Sequence, residues 1–221
     1  MSGVGILGGT FDPIHVAHLR AAEELREAEG LDEIRFVPSA VPPHKGAGGI
    51  TAAAHRLRMV ELAVAHEPGF RVWPVELQRG GPSYSVDTLR ALRAEIGTAA
   101  RVVFALGRDA FADFASWKDP AEICALCDIV VLTRPPWSTT LTLADLPVAA
   151  RGAFCYDVSS DTFRHASGHL VKLIAITPLD ISATAIRDRV RTGRSIRYLV
   201  PTPVEDYIAS HRLYRAEGAP H

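Results

Sequence analysis

A Rossmann-like, doubly wound α/β fold, with a mostly parallel sheet, helices on both faces and a small C-terminal helical extension, is what this sequence predicts. Three observations carry that prediction. The runs at 3–7 and 101–107 are short and almost continuously apolar, as strands buried on both faces of a parallel sheet must be. Helical periodicity separates the strands, first in Val16, Leu19, Ala22 and Leu25 with Arg20, Glu23, Glu24 and Arg26 on the opposite face. A chain of 221 residues that is 48% hydrophobic can fill the core of one such domain. We therefore expect one domain over 1–221, with 190–215 as its helical C-terminal part.

Composition removes several function classes. The formal charge of −1 gives no general attraction to nucleic acid or to an anionic membrane, so neither is expected as a partner. No stretch approaches the roughly 20 apolar residues of a membrane span, and the N-terminus lacks a signal-peptide charge pattern, so a cytoplasmic location is expected. Three cysteines are no disulfide framework in a chain of this length. Cys124 and Cys127 form a Cys-x-x-Cys with no further ligand pair near it, inside an apolar helical pattern, and are read as core thiols.

After the strand at 3–7 come Gly8-Gly9-Thr10-Phe11-Asp12-Pro13-Ile14-His15-Val16-Ala17-His18, a strand end, a turn and the opening of a helix. A glycine turn that gathers backbone N–H groups at a helix N-terminus is a phosphate site. His15 and His18, three apart on a first helical turn, face one side; imidazoles there can donate to a polyphosphate and become cationic in its field. A lone His on a helix is ordinarily a cap or a surface group; a pair behind Gly-Gly-Thr-x-Asp-Pro is not. This stretch resembles the Gly-x-Phe-Asp-Pro-x-His-x-Gly-His signature of the nucleotidyltransferases related to class I aminoacyl-tRNA synthetases. The whole chain is similar to the bacterial nicotinate-nucleotide adenylyltransferases. Ala17 departs from the signature by standing where it has Gly, which adds one methyl to a close approach. The resemblance implies that Gly8, Gly9, Thr10, Phe11, His15 and His18 meet ATP.

The second strand, at 33–38, leads into Pro42-Pro43-His44-Lys45, where two prolines stiffen the chain on the strand's carboxyl side. Composition alone reads this equally as a rigid loop with a solvated lysine. The family carries Pro-Pro-His-Lys here, which implies that His44 and Lys45 meet substrate and its phosphates. A Gly/Ala-rich loop at 46–54 and a helix beginning at His55-Arg56 follow; Arg56 matches an arginine common in the family whose role is open to a structural reading. Residues 70–77 alternate like a strand, and a loop then enters a helix over 88–95. Free N–H groups in that loop suit a carboxylate. The family's Ser-Tyr-Thr-x-Asp-Thr, with Ser85 for Thr, implies Tyr84 and Ser85 at a nicotinate ring and its carboxylate.

The buried-strand pattern at 101–107 precedes Arg108-Asp109, and an acid just past a strand can accept from ribose hydroxyls. The family's Gly-x-Asp and Phe-x-x-Trp elements imply that Asp109 holds the substrate ribose and that Trp117 stacks on the pyridine; without them Trp117 reads as core. A strand at 128–132 stops at proline, 137–157 is left as a connection with a short helix near Leu143, and 170–176 is the last core strand. Ser182 is an N-cap, and Thr184 and Arg187 share the first turn of the helix it opens. Two hydroxyls and a guanidinium at a helix N-terminus suit the β- and γ-phosphates of ATP. The family has Ile-Ser-Ser-Thr-x-Ile-Arg there; Ala183 replaces one serine.

The resemblance implies a reaction joining nicotinate mononucleotide to ATP, giving nicotinate adenine dinucleotide and pyrophosphate, with Mg²⁺ carried on the ATP phosphates. The attacking phosphate oxygen is already anionic, so no general base is required, and the chain shows no nucleophile-plus-base signature. His15, His18, Lys45 and Arg187 are the expected charge-neutralising residues. The other readings are a nicotinamide-mononucleotide or phosphopantetheine adenylyltransferase and a non-catalytic nucleotide sensor, the last kept open by Ala17 and Ala183. Oligomeric state, monomer or homodimer, stays open. The geometric requirement is that the histidine turn and the Ser182 helix tip share one cleft.

Overall fold

Along the central strands the side chains alternate between two hydrophobic cores. Val102, Phe104 and Leu106 enter one and Val103 and Ala105 the other; Ile129 and Val131 oppose Val130 and Leu132 in the same way. Period-two alternation with apolar residues at both phases buries a sheet on two faces, so helices must cover both. The computed structural model describes residues 3–41, 49–133 and 140–215. In chain order these form β1 (Gly3–Gly9), α1 (Val16–Glu29), β2 (Glu33–Pro38), α2 (Ala53–Val64), β3 (Phe70–Val72), α3 (Val75–Arg79), α4 (Ser85–Ile96), β4 (Arg101–Gly107), α5 (Arg108–Ala112), α6 (Pro120–Leu126) and β5 (Asp128–Thr133). The strands β6 (Phe154–Asp157), β7 (Thr162–His165) and β8 (Leu170–Ala175) come next, then α7 (Ala183–Arg191) and α8 (Thr202–Ser210).

The sheet order is β3-β2-β1-β4-β5-β8-β7-β6. From β3 to β8 every pairing is parallel, and β7 and β6 add an antiparallel edge. One core packs Val86, Leu89 and Leu92 of α4 and Ile123 of α6 on the sheet; the other packs Ala22 and Leu25 of α1, Met59 and Val60 of α2, Ile186 of α7 and Val204 and Ile208 of α8. A Cβ on Gly5 would overlap the side-chain ends of Ile34 in β2 and of Leu31 before it, so the bare position lets these two residues pack down on β1. Strand order reverses between β1 and β4, which opens a crevice at their carboxyl ends. Among the described residues no helix is long and apolar enough to cross a membrane.

The α/β class and its parallel strands follow the sequence reading; the details differ in three places. The strand expected over 70–77 ends at Val72, because Pro74 donates no N–H and α3 starts behind it. The helix expected over 88–95 begins at Ser85, three residues earlier, with Asp87 as the acid of its first turn. Residues 140–157 hold 3₁₀ turns at Leu143–Asp145 and Val148–Ala153 and then β6, whose hairpin with β7 was not anticipated. Cys124 and Cys127 are buried, and burial pushes the Cys124 thiol up to about 12, so these are inert core groups.

Arg56, 1% exposed, is the largest fully buried side chain. It donates to the carbonyls of Thr51 (2.9 Å), Thr10 and Ser39 (2.8 Å each) and Ala40 (3.2 Å). Burial lowers its pKa below the usual arginine value, and the nearby Asp12 charge opposes that fall. Of the two readings left open for Arg56, the geometry supports the structural one, because its guanidinium is spent on loop carbonyls that border the crevice. Arg56→Met should lower unfolding free energy by about 2–4 kcal/mol, since it strands buried carbonyls. Urea unfolding measures this, and a loss under about 0.5 kcal/mol would mean that water replaces the guanidinium without cost.

Candidate active site

The crevice at the sheet reversal is a cleft of about 820 Å³ lined by residues from β1, α1, α4, β4, α5 and α7. That volume lies toward the upper end for small-molecule sites. Gly8 and Gly107 end the two central strands on its floor, and a Cβ on either would meet no protein atom within 4 Å. Neither glycine is therefore required by packing, and the space they leave belongs to the cleft. Phe11, with φ of 49°, holds a left-handed conformation that costs a side-chain-bearing residue energy, fixed by packing of its ring on Phe36 and His18. The turn is thus stiff before anything binds.

His15 is the N-cap of α1 rather than a residue of its first turn, and His18 is three positions into the helix. Their rings stack with centroids 3.6 Å apart. The His15 backbone N–H donates to His18 Nδ1 at 3.3 Å, so the network places the His18 proton on Nε2. Two rings this close repel each other when both are cationic. Beside this turn in the same cleft, Ser182 caps α7 by accepting from the Ala185 N–H at 3.1 Å. Arg187 donates to Thr184 Oγ1 (3.2 Å) and to the Asp12 carbonyl (2.7 Å). The histidine turn and the α7 tip therefore share one cleft and are directly bonded. Gly9, Thr10, Ala17 and Ala183 line the same wall.

At the other end Tyr84, Ser85, Asp109 and Trp117 line the cleft. Tyr84 is the N-cap of α4, and its carbonyl accepts from the Asp87 and Thr88 N–H groups at 3.1 and 3.3 Å, which leaves the Ser85 and Val86 N–H groups as the first-turn donors open to a ligand. Trp117 is half-buried; it packs edge-on against Phe104 and Phe114 while keeping a face on the cleft, so the core and cleft readings both apply. Asp109 sits exposed in the first turn of α5. His44 and Lys45 lie outside the described residues. Sequence reasoning gave no role to Glu76, Arg108 or Lys118, which also line the cleft. Glu76 accepts from Thr88 Oγ1 at 2.7 Å, and Arg108 pairs with Asp145 at 2.9 Å.

Comparison with known proteins places this geometry. Residues 6–189 match the cytidylyltransferase-like family. The chain is 50% identical over 212 residues to a probable nicotinate-nucleotide adenylyltransferase of Geobacter sp. (strain M21), covering 96% of this chain and 97% of the relative. A protein of the same description from Geobacter sulfurreducens is 48% identical over 214 residues, covering 97% and 99%. Among solved structures, a Plasmodium falciparum nicotinic acid mononucleotide adenylyltransferase complexed with NaAD superposes with a TM-score of 0.70 at 19% identity, covering 97% and 98%, a likeness of fold.

One further contact holds the histidine turn. The Asp12 carboxylate, 4% exposed, accepts from Tyr214 Oη at 2.7 Å and from the Thr51 N–H at 3.1 Å. Burial and the adjacent Asp12 charge push the Tyr214 phenol well above its usual value, so it stays a donor. No local pattern could have revealed this, because Tyr214 lies 202 residues from Asp12. Tyr214→Phe, which deletes only the hydroxyl, should cost about 1.5–3 kcal/mol, the range for a hydrogen bond to a charged group. Denaturant unfolding reads the loss, and one below about 0.5 kcal/mol would detach the tail from the turn's stability.

Proposed function

The chain belongs to the cytidylyltransferase-like family, and we propose, on that premise and on its full-length kinship with nicotinate-nucleotide adenylyltransferases, that it joins nicotinate mononucleotide to ATP. The products are nicotinate adenine dinucleotide and pyrophosphate. A phosphate oxygen of the mononucleotide attacks the α-phosphorus of ATP as the bond to the β-phosphate breaks, and the leaving pyrophosphate takes that electron pair. No proton moves, so no general base is needed. The observation that carries the reading is the Arg187 bond to Asp12, which holds the two expected triphosphate elements, the histidine turn and the α7 tip, in one wall of the cleft.

In this reading the triphosphate lies over Gly8, Gly9, Thr10 and Phe11, and His15, His18, Ser182, Thr184 and Arg187 surround it. The bare positions 8 and 107 support a close backbone approach. His18 donates from Nε2, the nitrogen that its bond from the His15 N–H leaves as the donor. Catalysis then consists of aligning two anions and offsetting the charge that grows on the α-phosphate and the leaving group. Enzymes of this family generally use Mg²⁺ with ATP. Among the described residues no cluster of three or more His, Cys, Asp or Glu could hold a metal, so phosphate oxygens would supply its ligands. When bound it offsets negative charge on the phosphates.

The mononucleotide occupies the other end, its ribose at Asp109, its pyridine against Trp117 and Tyr84, and its carboxylate at the N–H groups around Ser85. A carboxamide would turn an NH₂ toward those donors and leave one unpaired, which favours the acid. Lys45, with His44, keeps the phosphate role that its Pro-Pro-His-Lys motif implies. A cytoplasmic reaction suits reactants that are all anions unable to cross a membrane unaided. Pyrophosphate release with ATP, Mg²⁺ and either pyridine mononucleotide tests the assignment: turnover with the acid supports it, and ATP binding without release would make the chain a nucleotide sensor. His18→Ala should lower kcat by about 10²-fold or more, the scale for losing one transition-state donor. Near-normal turnover in that variant would remove His18 from the chemistry.

A further inference from the structure

The pyridine end of the cleft carries a cation to which the transfer itself gives no role. Lys118 lines the same cleft as Tyr84, Ser85 and Trp117. Its Nζ lies 4.8 Å from the centroid of the Tyr84 ring and 3.0 Å from Asp87 Oδ2. The other oxygen of Asp87 accepts from Arg90 Nη1 at 2.8 Å, and Arg90 pairs in turn with Glu122 and Asp119. Charge thus alternates from Glu122 through Arg90 and Asp87 to Lys118, and the member that reaches the cleft is positive. Three acids line the cleft as well: Asp12, bonded to Tyr214 and the Thr51 N–H, Glu76, turned onto Thr88, and Asp109, in the first turn of α5. Asp87 is shared between two cations, so it offsets only part of the charge of Lys118.

We propose that Lys118 is a specificity-determining residue, whose ammonium favours a pyridine mononucleotide bearing a ring carboxylate over one bearing a carboxamide. The inference rests on the reading that places the pyridine ring between Tyr84, Ser85 and Trp117. The two mononucleotides carry the same phosphate and ribose and differ by one negative charge on the ring substituent. A cation over Tyr84 therefore acts on the difference between them, while the histidines and Arg187 act on both alike. The Lys118 side chain is 40% exposed, so water and salt screen it and the discrimination it supplies is moderate. Its flexible stem lets a point charge follow the carboxylate without a fixed fork.

Steady-state pyrophosphate release with ATP, Mg²⁺ and each mononucleotide tests this, on wild type, Lys118→Met and Lys118→Arg, at low and high NaCl. In Lys118→Met, kcat/KM for the acid should fall roughly 3- to 10-fold while that for the amide stays within about twofold, as for one partly screened charge. Lys118→Arg should restore the acid-to-amide ratio. In wild type that ratio should fall as salt rises, and in Lys118→Met it should not. Equal losses for both substrates, or an unchanged ratio, would overturn the proposal as a merely structural effect. A wild-type ratio indifferent to salt would overturn it without any variant. Wild type that releases pyrophosphate with neither mononucleotide would instead refute the assigned reaction, and this proposal with it.

Discussion

The hydrogen bond from Arg187 to the carbonyl of Asp12 joins residues 175 positions apart and ties the α7 tip to the histidine turn. Asp12 is held in turn by Tyr214 and by the Thr51 N–H, and the neighbouring Thr10 carbonyl is held by Arg56. A carboxylate and a guanidinium with 4% and 1% exposure would each be unfavourable alone. They persist because every segment that enters this corner supplies a partner: the tail a phenol, the start of α2 an N–H and a carbonyl, the end of β2 two carbonyls. Polar groups here are matched to one loop arrangement, and a shifted loop would strand several at once. That makes the cleft's shape a property of the folded chain before a ligand arrives.

Preorganisation matters because both reactants are anions. Bringing a phosphate monoester against a triphosphate is opposed by their own repulsion, and a loose site would spend binding energy on ordering itself. The stacked His15 and His18 rings show how donors can be supplied with little mobile charge. One imidazole is a helix cap, and the other is locked in a single tautomer by the cap's own N–H. Phe11 backs them with an edge contact to His18 and is itself strained, so the turn's geometry is set by packing on Phe36. The alternation of the central strands is the deeper cause, since two filled cores leave only the strand ends for a ligand.

The legible parts of the sequence were those whose physics is local. β1, β4 and β5 lay close to their expected bounds because two-sided burial demands near-continuous apolar runs, and β2 and β8 did so as apolar runs that each admit a half-buried cation, Arg35 and Lys172. The Ser182 cap and the spacing of His15 with His18 were readable for the same reason, each depending on neighbours within a turn. β6 and β7 were not, because two four-residue antiparallel strands at the margin of the sheet are too short to carry a pattern distinct from a loop. Pro74 converted an apparent strand into a helix start, a tertiary outcome at the edge beside β3. Arg56, Tyr214 and Lys118 gained their meaning from partners 5 to 202 residues away, which periodicity cannot reveal.

The net charge of −1 also acquires a physical meaning once the cleft is resolved into its groups. Among the described residues its lining holds Asp12, Glu76 and Asp109 as acids and Arg108, Lys118 and Arg187 as permanent cations, besides the two histidines. Asp12 is capped by a phenol and an N–H, and Glu76 by the Thr88 hydroxyl, so both acids are spent on the protein. Arg108 is likewise offset by Asp145. Formal charges in the lining therefore balance, three acids against three cations, and the two cations other than Arg108 stand where α7 meets the histidine turn and at Lys118. A nearly neutral chain can hold a polyanion at one place because cations and N–H donors are gathered there locally rather than spread over the surface. The same distribution explains why the surface needs no general basic field: attraction begins within a Debye length of the cleft, where local placement decides.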